Sequence, residues 1–153
     1  MRSLELRVPP PLVFLLVGAG MWIAEARGDF AATFLSPRWI AAVCVGGAAL
    51  LVGLSATSRF KSAGTTLDPR APERASAVVS DGIYRRTRNP MYLALALALT
   101  AWALHLGATW GWLGLPFFTA YMTLFQIMPE ERALRTRFGE EYESYLGRVR
   151  RWI

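Results

Sequence analysis

Charge-free hydrophobic runs alternate with short polar clusters along this chain, and the run lengths predict helices that cross a bilayer. Val8 to Ala24 is a run of 17 residues without Lys, Arg, Asp or Glu, Trp39 to Ser58 a run of 20, and Asn89 to Pro129 a run of 41. A hydrocarbon core is about 30 Å thick and a helix rises about 1.5 Å per residue, so the longest run can cross twice and is too long to cross once. It predicts a helical hairpin whose two ends return to one membrane face. The expected fold is therefore all-α: one domain, 1–153, built as an integral membrane bundle of four transmembrane helices. The spans fall at about 9–26, 37–58, 90–106 and 110–129, and a cytoplasmic tail, 130–153, carries an amphipathic helix.

Prolines and glycines punctuate these runs. Pro9, Pro10 and Pro11 open the first span and Pro37 the second, because proline is tolerated in a helix's first turn. Gly28, Asp29 and Ser36 mark a short outer connection, and Gly64, Pro69 and Pro72 make the long second connection irregular. Gly107, Gly111 and Gly114 cluster where the hairpin turns. Gly107-xxx-Gly111 also permits close helix approach, and turning is the simpler explanation. In the tail, Leu134, Phe138, Tyr142, Tyr145 and Val149 recur at helical spacing and form one apolar stripe for the cytoplasmic interface. Gly139 divides or kinks that helix.

Composition supports a membrane protein, since 54% hydrophobic residues is high for a soluble fold. The net charge of +6 raises nucleic acid as a partner, and the placement of the basic residues argues against it. Four spans put 15 of the 17 Lys and Arg on one side and only Arg27 and Arg38 on the other. By the positive-inside bias both termini are cytoplasmic, as expected of an integral protein of a bacterial inner membrane. The cations then serve topology and lipid headgroups. A signal peptide is the other reading of the start, with Arg2, Arg7, an apolar run and Ala24-Glu25-Ala26. Retention as the first span fits the charge pattern better. Cys44 and His105 are the sole residues of their types, so a disulfide framework, a Cys or His metal cage and a Ser-His-Asp relay are not expected.

The hairpin sets the Tyr84, Arg88, Asn89 and Tyr92 cluster beside Glu130 and Glu131. Local structure accounts for part of this: Asn89-Pro90 reads as a helix cap, and glutamates after Pro129 complement a helix dipole. It does not account for aromatic, cationic, amide and acidic groups converging at one membrane face, where ionisable residues are functional by default.

The stretches VVSDGIYRRTRNPMY, Val78 to Tyr92, and PEERALRTRFGEEYESYLGRVRRW, Pro129 to Trp152, resemble the isoprenylcysteine carboxyl methyltransferase and phospholipid methyltransferase group of integral membrane enzymes. The resemblance covers the C-terminal half well and the first two spans in general character. It implies an S-adenosylmethionine site without a Rossmann domain, and Gly18-Ala19-Gly20 indeed lies inside a span rather than in a strand-to-helix turn. By the same resemblance the cofactor contacts are Val78, Val79, Tyr84, Asn89, Pro90, Met91, Tyr92 and Glu130. Arg88 and Glu131 are the candidate catalytic residues, with Glu131 the base for an amine or hydroxyl acceptor. Asn89 stands where prenylcysteine enzymes have histidine. Gln126, the candidate substrate-binding residue, stands where they place an arginine for the substrate carboxylate, and a neutral amide does not replace that cation.

The implied reaction is methyl transfer to a lipophilic small molecule or lipid that enters from the bilayer, with a phospholipid amine as the alternative acceptor. Two other classes suit parts of the pattern. One is a non-catalytic membrane protein whose tail binds lipid or a partner; the other is a nicotinamide-dependent reductase of the membrane steroid reductase kind.

Overall fold

The computed structural model describes residues 5–25, 37–64 and 75–153, and every regular element among them is helical. Ala26, Gly28, Asp29, Ser36, Pro69 and Pro72 lie outside the described residues, as do Arg2, Arg27, Arg70 and Arg74. Helix α1 spans Pro10–Ala24, with prolines in its first turn. Helix α2 spans Pro37–Ser62 and α3 Pro90–Leu106. Gly107 then closes α3 in the left-handed conformation, φ 64°. Helices α4, Gly114–Met122, and α5, Met128–Phe138, are joined through a π turn, Thr123–Ile127, with helical backbone at both joints. Gly139, at φ 52° and ψ −125°, separates α5 from α6, Glu140–Arg148.

This architecture bears on two expectations. Helix α2, at 26 residues, is long and apolar enough to cross a membrane, whereas the apolar helices α1 and α3 have only 15 and 17 residues. At about 1.5 Å per residue these two reach roughly 22–26 Å, short of a 30 Å core. Pro10 and Pro90 open these helices, α3 with the bounds expected of the third span, Gly107 stops α3 and the π turn divides the last run, so among the described residues α2 alone is by itself long and apolar enough to cross a membrane. Glu130 and Glu131 also do not begin a free helix. The backbone is helical from Gly114 to Phe138, so their amides have partners and dipole complementation does not explain them.

The core forms where α1, α3 and α4 meet. Val13, Val17 and Met21, four residues apart, bury one face of α1 against Leu99 and Ala103 of α3 and Phe118 and Met122 of α4. The Trp102 indole donates to the Gly18 carbonyl at 3.0 Å, adding a polar link between α1 and α3. At the hairpin turn Glu25 Oε1 accepts from the backbone N–H groups of Thr109, Trp110 and Gly111 at 2.8, 2.6 and 3.0 Å. Gly107 makes the turn, but Gly114 is required for close approach. A Cβ there would lie 2.7 Å from Met21 Cγ.

Helix α2 packs on α3 along a seam of small residues. Ala42, Ala49 and Ala56 are buried, and Gly46 and Gly53 between them face Ala101 and Ala94, where added Cβ atoms would sit at 3.8 and 3.5 Å. Such spacing lets backbones approach in a solvent as apolar as the side chains, where packing rather than water exclusion holds helices together. The outward faces are apolar as well: Leu16, Leu51 and Phe117 are each more than 60% exposed. Large exposed apolar surfaces of this kind mark a membrane or protein interaction.

Candidate functional site

A cavity lies at the end of the bundle where α3 begins and α5 emerges from the π turn. Val78, Val79, Tyr84, Arg88, Asn89, Pro90, Met91, Tyr92, Glu130 and Glu131 all line it. Gln126 does not. Its side chain is fully buried, its Nε2 donates to the Val8 carbonyl at 2.7 Å, and its Oε1 has no partner.

The Val78–Tyr84 segment reaches the cavity by folding over the end of α2. Gly82 makes the turn at φ 56°, where a Cβ would lie 2.6 Å from the Arg59 side chain. The following 3-10 turn, Gly82–Arg85, sends Tyr84 inward to 4% exposure, edge-on to Phe60 with ring centroids 5.5 Å apart. Burial, reinforced by nearby Glu130, pushes the Tyr84 hydroxyl well above the usual phenol range, so it stays neutral.

Asn89 precedes α3 but does not cap it with its side chain. Its Nδ2 instead donates to the Arg151 carbonyl at 2.9 Å, while its backbone N–H donates to Thr87 Oγ1 at 3.2 Å. The Arg88 N–H donates to the Arg150 carbonyl at 3.0 Å, so the segment after α6 is fastened directly onto the start of α3. The tail therefore does not lie as a separate interfacial helix. Tyr142 and Tyr145, each 4% exposed, are two of the stripe residues, and they line the cavity with Leu134. The Tyr145 hydroxyl donates to the Tyr84 carbonyl at 2.8 Å, and Arg137 Nε donates to the Ala75 carbonyl. Sequence reasoning missed these tyrosines and Arg151 as site residues.

The two glutamates occupy different environments. Glu130 is half-buried at the cavity wall, and its Oε2 accepts from the Tyr92 hydroxyl at 3.1 Å. Burial pushes its carboxyl up to about 7; the Tyr92 bond opposes the rise, and Glu131 adds to it. Glu131 is 6% exposed, and a bidentate pair with Arg151 occupies both its oxygens at 3.1 and 2.7 Å. Arg88 Nη2 lies 3.5 Å from Glu131 Oε1, and the buried Arg88 Nε has no partner. Among the described residues the cavity thus holds a carboxylate with no cation in ion-pair contact and a guanidinium with an unused donor, among tyrosine rings.

The profile of the phospholipid methyltransferase family matches residues 37–141. An uncharacterized protein of Haemophilus influenzae is 48% identical over 63 residues, which are 41% of this chain and the whole of that protein. No solved structure matches the chain. The profile takes in the α2–α3 seam, the Val78–Tyr92 segment, the hairpin and both cavity glutamates, and by that match the chain belongs to the phospholipid methyltransferase family.

Proposed function

We propose that this chain is an S-adenosylmethionine-dependent membrane methyltransferase acting on a lipophilic or amphiphilic acceptor that enters from the bilayer. Family membership supports methyl transfer in general. The observation that carries the cofactor assignment is the pairing of Glu130, which has no ion-pair partner among the described residues, with Arg88, whose buried Nε is unused among them, in one cavity lined by aromatic rings. An ammonium on Glu130 and a carboxylate on Arg88 are the two ends of a zwitterionic amino acid, the end that this cofactor presents. The ring faces of Tyr84, Tyr92 and Tyr142 suit adenine or a sulfonium. The donor set fits the group.

When bound, the cofactor supplies an electrophilic methyl on sulfur. The protein's part is to position the acceptor and exclude water, because the reaction discharges a cation rather than building charge. Tyr84, Tyr142 and Tyr145 keep their hydroxyls neutral and their rings at the wall. Both Glu131 oxygens are held by guanidinium groups, and we assign it an anchoring role in place of that of a base. We place both termini and the cavity on the cytoplasmic side, with four membrane-crossing segments, on the strength of the 15-to-2 division of basic residues. Titration of the purified protein in detergent with S-adenosylhomocysteine tests this reading. Saturable binding that Glu130→Ala and Tyr92→Ala each weaken by about 1–3 kcal/mol is expected. A folded wild-type protein that does not bind overturns it.

A further inference from the structure

The inward face of the last helical run repeats with an irregular step. Phe118, Met122 and Ile127 are fully buried in one core cluster, four and then five residues apart. Glu130, Glu131 and Leu134 follow Ile127 at three, four and seven residues and line the cavity with it. An α-helix turns about 100° per residue, so a step of five would carry Ile127 about 140° off the face of Met122. The π turn absorbs the excess. Met128 N–H donates to the Thr123 carbonyl five residues back, and Ile127 falls where a fourth residue would otherwise stand. Closed as an α-helix, the same turn would swing Glu130 about 100° away from Tyr92. In the π form Glu130 meets the Tyr92 hydroxyl at 3.1 Å.

A π turn is a rare form that interrupts an α-helix, and its neighbours must hold it there. The holding contacts come from the residues before α1. Leu6 N–H donates at 2.9 Å to the Phe125 carbonyl, which Pro129, four residues on, cannot serve because it has no N–H. Gln126 Nε2 donates to the Val8 carbonyl at 2.7 Å, and Glu5 pairs with Arg132 beside the two glutamates. Leu6 holds φ 56°, a left-handed backbone that a leucine keeps only where its surroundings impose it. Gln126 is fully buried, and among the described residues its Oε1 has no partner. An apolar side chain of the same size would avoid that orphaned oxygen, so what the amide supplies is the Nε2 bond. We propose that residues 5–8 are a clasp that holds Thr123–Ile127 in its π form, with Gln126 the positioning residue for Glu130, so that the segment before α1 governs how tightly the cavity holds its ligand. This rests on the cofactor reading above.

Equilibrium binding of radiolabelled S-adenosylhomocysteine in detergent, measured for wild type, Gln126→Met, Glu130→Ala and the double variant, tests the proposal. Gln126→Met is expected to raise Kd about tenfold by itself and less than about twofold in the Glu130→Ala background, because the group it positions is already gone. A merely structural loss would weaken binding equally in both backgrounds. Deletion of Leu124, an exposed residue of the π turn, supplies a second measurement. It lets the turn close as an α-helix with Ile127 and Glu130 still facing inward, and no clasp is then needed. The deletion variant should bind like wild type, and adding Gln126→Met should not weaken it. A folded deletion variant that does not bind, or a Gln126→Met effect that is missing from wild type or undiminished by Glu130→Ala, overturns the clasp. Absence of binding by folded wild-type protein overturns the cofactor reading instead.

Discussion

The Tyr92 hydroxyl donates to Glu130 Oε2 at 3.1 Å, joining the first turn of α3 to α5 across the cavity. This bond favours the ionised carboxylate, while burial favours the protonated form strongly enough to lift Glu130 from an ordinary 4.5 to about 7. A cationic ligand group must bind the ionised form. Affinity for S-adenosylhomocysteine is therefore expected to rise from pH 5.5 to 8 with a midpoint near 7, and Glu130→Gln should flatten the profile at the weak end. Tyr92→Phe removes the donor that stabilises the anion, so its midpoint should move upward. The stability linkage has the opposite sign: a raised carboxyl pKa contributes stability fully below about 4.5, and that contribution is lost as pH rises through about 7. Calorimetric titrations across this range test both; pH-independent wild-type binding would rule out Glu130 as the ammonium partner.

The α2–α3 seam makes a packing prediction. At Gly53 an added Cβ meets Ala94 at 3.5 Å, an ordinary contact, so Gly53→Ala should be nearly neutral or stabilising. Gly53→Leu must push the helices apart and should destabilise by about 1–3 kcal/mol, as overpacking does. Thermal unfolding in detergent distinguishes the two. Equal effects would show that the seam tolerates separation.

The division of basic residues predicts an orientation. Reporter fusions after Ala108, in the turn between α3 and α4, should appear outside, and fusions at the C-terminus inside. The structure ties the second location to the site, because the segment after α6, with Arg150 and Arg151, contacts the start of α3. An external C-terminus would place the cavity on the outer face, away from a cytoplasmic cofactor.

Much of the cavity was legible because a single charge-free run brackets it: the ends of a hairpin must meet, and Tyr84, Asn89, Tyr92 and Glu130 stand at those ends. What the sequence hid has a common cause, namely that one local pattern serves two tertiary outcomes. Asn89-Pro90 has the same signature whether the amide caps its own helix or reaches the Arg151 carbonyl. Tyr142 and Tyr145 repeat with helical spacing whether they face a lipid interface or a cavity. Arg151 is hidden among Arg148 and Arg150, where an excess of cations is already explained by topology. The π turn leaves no mark in residue type, and with it went the true environment of Gln126.

That environment reverses one expectation from the resemblance. Gln126→Arg would restore the cation that prenylcysteine enzymes place here, and from sequence alone the change should improve carboxylate acceptors. In the fold Gln126 is fully buried outside the cavity lining, held by the Val8 carbonyl. Leu6 N–H donates to the Phe125 carbonyl at 2.9 Å beside it, so the segment before α1 seals the π turn on that side. An arginine there would bury a charge with one carbonyl for company and no carboxylate within the bonds Gln126 makes, at a penalty of several kcal/mol. Gln126→Arg is therefore expected to lower thermal stability markedly and to bring no gain in methylation of a prenylcysteine analogue over fatty acid or aminophospholipid acceptors. Gln126→Met, similar in volume, loses the Val8 bond and also removes the orphaned Oε1; it should lose about 1–3 kcal/mol or less. Labelled methyl transfer and unfolding midpoints measured on the same preparations test this. A stable Gln126→Arg protein with enhanced carboxylate methylation would show that the π turn can rotate position 126 into the cavity.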